Sequence, residues 1–330
     1  MSLKIAVLPS VTVQNRIFGP SHFEQLEAIG EVVRNTSATS DSEETKRNVK
    51  DADIAITSWR CCPFEAEVLD CAPNLRAVFY CAGSVKPIVT PELWRRGIRV
   101  SSANGPLGRG VAETALGLTI TSLKDMWNLS QRTKSGGWSE MRGTVRELYN
   151  VTIGVIGAGK AGRHYIDLLK NFDVDIVLFD PFVSAEQAAG LGTVKVELDE
   201  LMARSDVISI HAPSLPSTYK IINAQRLALM KDNAILINTA RGSIIDEPAL
   251  VAELQKGRLF ACIDVTDPEP PPADHPFRSL PNCVLLPHLA GSVNNGLHRL
   301  GQFSIDEIKR FLAGEPLEGE VTEAQMAVLA

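Results

Sequence analysis

The sequence lacks the features that mark membrane, secreted and nucleic-acid-binding proteins. No uninterrupted apolar run approaches the roughly 20 residues that span a bilayer, and the apolar stretch near Met1 is too short for a signal peptide. The 33 Lys and Arg residues stand against 39 Asp and Glu residues, a net charge of −6 with the signs interspersed. Without a basic stripe we expect no nucleic-acid or membrane partner. The chain is expected to be soluble and cytoplasmic.

Cysteine is scarce and irregularly spaced. The six cysteines include no CxxC pair, and a chain of this length needs no disulfide framework to fold. We therefore expect free thiols in a reducing compartment, most of them buried. The histidines show no metal-ligand spacing, so no metal site is predicted.

What the sequence does contain is a regular alternation of short apolar runs and amphipathic stretches, which is typical of βα units and parallel sheets. Its 330 residues are enough for two domains, each with its own core. The strands predicted for the first sheet are 4–8, 31–34, 53–57, 75–80 and 98–100. Those predicted for the second, the number of a complete dinucleotide-binding sheet, are 151–156, 175–179, 206–210, 234–238, 260–265 and 283–286.

Several helix boundaries can be predicted. Ser21 and Glu24 have the spacing of a capping box, and Thr90 with Pro91 begins a helix that Gly97 ends. Apolar residues at helical spacing predict one long helix over 105–135, followed by a polar connection over 140–150. A last helix over 296–312 has no strand after it, so we expect it to pack on the first domain.

The segment 157–162 is a GxGxxG motif in the context that gives the motif meaning. Gly157, Gly159 and Gly162, with Lys160 and Ala161 between them, follow a predicted strand and open a helix predicted to run to residue 171. The glycines permit a tight turn, close approach of a pyrophosphate and close helix–strand packing. Free amides at the helix N-terminus favour the anion. The motif predicts a dinucleotide cofactor.

Asp180 ends the next predicted strand. A carboxylate at this place accepts hydrogen bonds from the adenosine ribose hydroxyls and repels a 2′-phosphate. The cofactor is therefore expected to be NAD rather than NADP.

Three ionisable residues follow later strands of the second sheet, at the edge where ligands bind in open α/β sheets. Arg241 has the planar fork that binds a carboxylate with two hydrogen bonds. His288 is the residue type that titrates near neutral pH and acts as a general acid or base. Glu269 would orient the imidazole and stabilise its charged form. A 2-hydroxy acid dehydrogenase needs these three groups.

The sequence around these residues resembles the D-isomer-specific 2-hydroxyacid dehydrogenase family, in particular phosphoglycerate dehydrogenases and glyoxylate or hydroxypyruvate reductases. The resemblance extends over nearly the whole chain and is strongest from 151 to 292. It is carried by His211-Ala-Pro-Ser-Leu-Pro-Ser-Thr218, by 230–246 with Asn238-Thr239-Ala240-Arg241-Gly242, by Ile263-Asp264-Val265, by Glu269-Pro270 and by Pro287-His288.

The resemblance implies roles for individual residues. Arg241, Glu269 and His288 would be the catalytic trio, and Asp264 would hold the nicotinamide carboxamide. The backbone amides of Gly83, Ser84 and Val85 would hold the substrate carboxylate, which Arg241 would also bind. Further residues beside the cofactor would be His211, Pro213, Thr218, Thr239 and Ala240.

The resemblance also implies an architecture. A Rossmann NAD-binding domain (105–292) would be inserted into a flavodoxin-like substrate domain (1–104 plus 293–330), both doubly wound α/β folds, with a cleft that closes by hinge motion. Members of the family usually dimerise through the cofactor domain. We therefore expect a homodimer, with Trp127 and Trp138 as candidate interface residues.

The chain departs from the family pattern at three places. Lys86 stands where Asp is common, Thr114 where His is common, and Leu286 where Thr usually precedes the Pro-His pair. Lys86 suits a larger or doubly charged acid, such as a phosphorylated one, but it fits a solvent-facing lysine equally well. Arg60 lies near the position of substrate-binding arginines in phosphoglycerate dehydrogenases. His275, in a proline-rich loop, is expected to be solvated.

The expected activity is hydride transfer between NAD(H) and C2 of a small D-2-hydroxy or 2-oxo acid. Rival substrates are 3-phosphoglycerate, glyoxylate or hydroxypyruvate, and D-lactate. One alternative is a phosphite or formate dehydrogenase on the same scaffold, although formate dehydrogenases carry Gln in place of the Glu. Another is a non-enzymatic NAD-sensing interaction protein, for which the sequence shows no added partner-binding segment.

Overall fold

The computed structural model describes residues 3–138 and 142–329, which divide into two compact units. Unit 1 contains the residues up to Leu107 together with Ser292–Leu329, and unit 2 contains Gly108–Gly291. The sequence-based boundaries lie at 104/105 and 292/293. The beginning of the predicted polar connection 140–150 lies outside the described residues. No described helix is both long and apolar enough to cross a bilayer.

The secondary-structure elements are numbered along the chain. The strands are β1 (Lys4–Val7), β2 (Glu31–Arg34), β3 (Ile54–Thr57), β4 (Ala77–Tyr80), β5 (Arg99–Ser102), β6 (Tyr149–Ile156), β7 (Asp173–Phe179), β8 (Val194–Lys195), β9 (Val207–Ile210), β10 (Ile235–Asn238), β11 (Phe260–Ile263), β12 (Cys283–Leu285) and β13 (Glu320–Val321). The α-helices are α1 (Val11–Ile17), α2 (Pro20–Ile29), α3 (Ser42–Val49), α4 (Ala66–Leu69), α5 (Pro91–Arg95), α6 (Asn104–Leu123), α7 (Met126–Lys134), α8 (Lys160–Leu169), α9 (Ala185–Gly190), α10 (Leu198–Arg204), α11 (Ala224–Leu229), α12 (Glu247–Gln255) and α13 (Leu297–Ala313).

Unit 1 contains, within the described residues, a six-stranded sheet in the order β13-β5-β4-β3-β1-β2. β1 to β5 are parallel and have the 2-1-3-4-5 order of flavodoxin-like folds. β13 pairs antiparallel with β5. All four residues of β3 are buried, as a parallel strand with both faces covered requires. α13 packs in the core of this unit through Leu300, Ile305 and Ile308, which confirms the expected return of the last helix.

Unit 2 contains, in its described part, a seven-stranded parallel sheet in the order β12-β11-β10-β9-β6-β7-β8. The strand order reverses between β6 and β9, which is the switch point of a Rossmann fold. Apolar side chains cover both faces of the sheet. The prediction of two doubly wound α/β sheets is confirmed.

Some predicted details are wrong. α2 begins at Pro20 with Gly19 as its cap, and His22 Nδ1 accepts the Gly19 N–H at 3.0 Å, so Ser21 and Glu24 do not form a capping box. The predicted long helix is two helices, because Asp125 has φ of +51° and turns the chain between α6 and α7. The prediction for Thr90 is confirmed, since its hydroxyl accepts the Leu93 N–H at the start of α5.

Candidate active site

The glycine motif lies at the turn between β6 and α8, the predicted strand–turn–helix. Gly157 has φ of +93°, a left-handed conformation that glycine adopts without steric cost, and a Cβ there would lie 2.8 Å from the Ala212 nitrogen. A Cβ on Gly162 would lie 2.1 Å from the Gly157 carbonyl oxygen, so helix and turn are in close contact. None of the described side chains caps α8 at Gly159. Its first-turn amides are therefore available to an anionic ligand.

Asp180 lies directly after β7, next to this turn. Its carboxylate accepts the Ala158 N–H at 2.8 Å and the Phe182 N–H at 2.8 Å. These bonds fix the carboxylate beside the glycine motif. Each oxygen keeps a second lone pair, so the group can still accept hydrogen bonds from ribose hydroxyls.

Two buried polar atoms at the carboxyl ends of neighbouring strands lack a hydrogen-bond partner within the described residues. They are His211 Nδ1, after β9, and Thr239 Oγ1, after β10. His211 is partly exposed as a residue, but burial of its ring lowers the pKa of the imidazole to about 4, so the ring is neutral at pH 7. An unpaired buried polar atom is costly unless a ligand satisfies it. Together with the uncapped α8, these atoms fit a nicotinamide dinucleotide.

Arg241, Glu269 and His288 follow β10, β11 and β12, which are adjacent strands of one sheet. Glu269 Oε1 and His288 Nδ1 lie 2.5 Å apart. The two side chains are 41% and 48% exposed, so the pair is open to a ligand. Because Nδ1 is used by the carboxylate, Nε2 is the nitrogen left to exchange a proton with a bound molecule.

Arg241 begins the turn after β10. Asn238 fixes this turn, since its Nδ2 donates to the Arg241 carbonyl at 2.9 Å and its Oδ1 accepts the Ala240 N–H at 3.0 Å. Arg241 is exposed and donates from Nη1 to the Ala240 carbonyl at 2.6 Å. A guanidinium has five N–H donors, which leaves more than this bond uses for an anion.

His288 has φ of +51°, an uncommon backbone conformation for a residue other than glycine. Asp264, only 1% exposed, stabilises it. The Asp264 carbonyl accepts the His288 N–H at 3.0 Å, and its carboxylate accepts the N–H groups of Leu289 at 2.8 Å and Ala290 at 2.9 Å. Thr114, one of the departures from the family pattern, donates to the Ala290 carbonyl at 3.3 Å. This anchoring of the His288 loop has no local sequence signal, because it links segments far apart in the chain.

The candidate substrate residues other than Arg241 lie in unit 1, after the neighbouring strands β3 and β4. Arg60 is exposed and has φ of +65°. Ser102 Oγ donates to the Gly83 carbonyl at 2.5 Å, which holds the loop after β4. Val85 is buried within the unit, whereas Lys86 is exposed. Both cations therefore belong to the same edge of the unit 1 sheet.

His275 is not solvated, contrary to expectation. Its side chain is 15% exposed, and its Nε2 lies 3.2 Å from Glu247 Oε2. The sequence contains no signal for this pair, because an acidic residue such as Glu247 is common in the first turn of a helix. Among the described residues, no group of three or more His, Cys, Asp or Glu side chains is arranged to hold a metal ion.

Comparison with known proteins points to one family. Residues 116–290 match the family described as D-isomer specific 2-hydroxyacid dehydrogenase, NAD binding domain. The D-3-phosphoglycerate dehydrogenase of Methanocaldococcus jannaschii is 34% identical over 298 residues, which are 90% of this chain and 56% of that protein. The glyoxylate reductase of Thermofilum pendens is 35% identical over 283 residues, 83% of this chain and 82% of that protein.

The solved structure of a D-2-hydroxyisocaproate dehydrogenase has the same fold. It is 26% identical, with a TM-score of 0.80 over 97% of this chain and 99% of that one.

The length of the chain differs from that of one of these relatives. The chain spans little more than half the length of the phosphoglycerate dehydrogenase and most of the length of the glyoxylate reductase.

Proposed function

Because the chain belongs to the D-isomer specific 2-hydroxyacid dehydrogenase family, we propose that it is an NAD-dependent enzyme that interconverts a small D-2-hydroxy acid and its 2-oxo acid. The observation that carries the proposal is the contact of Glu269 Oε1 with His288 Nδ1, at the sheet edge that also presents Arg241. When bound, the cofactor would supply a hydride to C2 in reduction and accept one in oxidation.

The three side chains divide the remaining work. His288 donates a proton from Nε2 to the carbonyl oxygen in reduction, and it removes the proton from the hydroxyl in oxidation. Glu269 orients the ring through Nδ1 and stabilises its protonated form. Arg241 binds the substrate carboxylate with its planar fork and polarises the C2 oxygen.

We assign the cofactor to the motif 157–162, to Asp180, and to the segments of His211 and Thr239, with Asp264 beside the nicotinamide. The unpaired atoms of His211 and Thr239 support this assignment. The choice of NAD over NADP rests on the Asp180 carboxylate, which would repel a 2′-phosphate.

On the substrate side, we assign Gly83, Ser84 and Val85 to the carboxylate. Arg60 and Lys86 add two exposed cations to the same sheet edge. They favour a substrate with a second anionic group, such as a phosphate, because a guanidinium or ammonium pairs strongly with phosphate oxygens. We therefore propose a phosphorylated 2-hydroxy or 2-oxo acid as the substrate, rather than glyoxylate or D-lactate.

We further propose that the protein is a cytoplasmic homodimer joined through unit 2. Large apolar side chains are exposed on that unit, including Trp127 (39%) and Trp138 (69%). Exposed aromatic residues are typical of protein interfaces.

The cysteines support the proposed cytoplasmic location. All six are free thiols in the described part of the chain, which suits a reducing compartment.

The activity can be tested by following NADH absorbance at 340 nm with a panel of 2-oxo acids, each phosphorylated member paired with its unphosphorylated analogue. We expect reduction of at least one 2-oxo acid, with the phosphorylated member preferred.

The roles of His288 and Glu269 can be tested with variants. His288→Asn should lower kcat/KM by roughly 10²–10⁴-fold. Glu269→Gln keeps the shape of the side chain but removes the carboxylate that holds His288 Nδ1, so kcat for reduction should fall.

The double variant is the control. If His288 and Glu269 act as one unit, adding Glu269→Gln to His288→Asn should cost little more than His288→Asn alone. Additive losses would show that Glu269 acts independently of the imidazole. Reduction of no 2-oxo acid, combined with oxidation of phosphite or formate, would overturn the proposed function.

A further inference from the structure

A second acid–imidazole pair lies in unit 2, outside the proposed trio. Glu247, the first residue of α12, is 7% exposed, and both of its carboxylate oxygens are used. Oε2 lies 3.2 Å from His275 Nε2, and Oε1 accepts the Asp267 N–H at 2.8 Å. His275 Nδ1 accepts the Phe277 N–H at 3.3 Å. Nε2 therefore donates a hydrogen bond to Glu247 Oε2.

The bond to Asp267 connects this pair to the proposed active site. Asp267 lies two residues before Glu269 in the same loop. The turn after Arg241 packs against this loop so closely that a Cβ on Gly242 would lie 2.1 Å from the Thr266 carbonyl carbon. A displacement of Asp267 would therefore alter both the Glu269 position and the packing of the Arg241 turn.

Glu247 is mostly buried and lies at the wall of a cavity with both apolar and charged lining residues. It lines a cavity of about 460 Å³ together with apolar side chains of Ile245, Pro248 and Val251. Burial raises the pKa of Glu247, whereas the Asp267 amide and His275 act in the opposite direction. The titratable groups around it are His275, Asp267, Lys220, Asp246 and Cys283.

We propose that Glu247 is a positioning residue, which holds the Asp267 amide and thereby places Glu269 against His288 Nδ1. His275 holds the second oxygen of Glu247, so that the first one faces Asp267. The expected effect of Glu247 on catalysis rests on the proposed function. The effect of Glu247 on the contact between Glu269 and His288 does not.

Two substitutions separate the reach of the Glu247 side chain from its charge. Glu247→Asp keeps the charge at the start of α12, where an acid favours the helix, but is one methylene too short to reach Asp267. Glu247→Gln keeps a carbonyl oxygen at the right distance and removes the charge. Glu253→Asp is the matched control, because Glu253 is a second buried acid on α12 whose partners are Lys256 and Arg258.

The primary measurement is the tautomer of His288 in the cofactor-free protein, read from ¹⁵N chemical shifts of its ring nitrogens. In the wild type Glu269 favours the tautomer protonated at Nδ1. Glu247→Asp should shift the ring toward the tautomer protonated at Nε2. Glu247→Gln should shift it less, because its oxygen still reaches the Asp267 N–H although its NH2 group cannot accept from His275 Nε2. Glu253→Asp should leave the tautomer unchanged. With substrate, Glu247→Asp should lower kcat by about 10–100-fold, the loss expected for a misplaced catalytic group, with a smaller change in KM.

The tautomer separates this inference from the proposed function. If no substrate is turned over but the tautomer shifts as described, the proposed function fails and the positioning role stands. An unchanged tautomer in Glu247→Asp would overturn the positioning role, as would an equal shift in Glu253→Asp. A shift in Glu247→Gln alone would also overturn it, since charge rather than reach would then be the cause.

Discussion

At the scale of single residues, the proposed choice of NAD over NADP rests on the carboxylate of Asp180. Asp180 accepts the N–H groups of Ala158 and Phe182 and, in the proposed function, also accepts hydrogen bonds from the adenosine ribose. Removing the side chain would therefore loosen the turn as well as change the charge. Replacing the carboxylate by an amide changes the charge and retains an acceptor.

We expect the wild type to prefer NAD over NADP by at least about 10-fold, since charge repulsion and a lost hydrogen bond cost on the order of 1.4 kcal/mol. Asp180→Asn should narrow this preference, while Asp180→Ala should weaken the use of both cofactors. The measurement is kcat/KM for NADH and NADPH, with Asp175→Asn, in the strand β7 that precedes Asp180, as the control. Equal use of both cofactors by the wild type would contradict the role of Asp180.

The sequence identifies some of these residues better than others. Gly157, Asp180 and Arg241 can be predicted because each has a local signal, a motif or a place at a strand end. The partners of Asp264 and Glu247 cannot, because their hydrogen bonds join segments about 20 or more residues apart in the chain. Such contacts depend on the finished tertiary structure.

At the scale of elements, the strands were more predictable than the helix ends. Buried parallel strands are continuous apolar runs, and the sequence predicts each such strand of the two sheets. The two-residue strands β8 and β13 contain too few residues for a pattern. The break between α6 and α7 depends on Asp125, whose left-handed backbone is stabilised by side-chain bonds to Asn128 and Thr144 that the apolar spacing does not reveal.

Two glycines on different elements should respond oppositely to alanine. Gly242→Ala places a Cβ against backbone atoms of Thr266 and Asp267, so we expect a loss of about 1–3 kcal/mol in stability together with lower activity. Gly117 lies within α6 with no atom within 4 Å of a Cβ, so Gly117→Ala should gain roughly 0.5–1 kcal/mol. Urea unfolding measures both changes. A stable and fully active Gly242→Ala protein would disprove the close packing of the Arg241 turn.

At the scale of the whole molecule, both units contain a histidine whose pKa is lowered by folding. In unit 1, burial and the neighbouring His298 lower the pKa of His22. In unit 2, burial lowers the pKa of His211 to about 4. An unfolded histidine has a pKa of about 6.5. Because the folded-state pKa is the lower one, the unfolded chain binds protons at a higher pH than the folded chain does, so stability falls as the pH falls below about 6.5.

For His211 the loss should approach 1.4 kcal/mol per pH unit between about pH 6.5 and 4. His211→Gln removes the titrating ring, so its stability should depend less on pH than that of the wild type. The measurement is the free energy of urea unfolding at pH 7 and pH 5, with His164→Gln as the matched control. An identical pH dependence in the His211→Gln and wild-type proteins would contradict the lowered pKa.

The course of the chain through unit 2 has a genetic consequence. The chain enters this unit at Gly108 and leaves it at Gly291, and the bond from Thr114 to Ala290 shows that entry and exit are neighbours. A coding segment whose product begins and ends at one place can be exchanged by recombination without cutting any strand of the flanking sheet. Since Arg241, Glu269 and His288 all lie on this segment, such an exchange would transfer the complete trio as a single cassette.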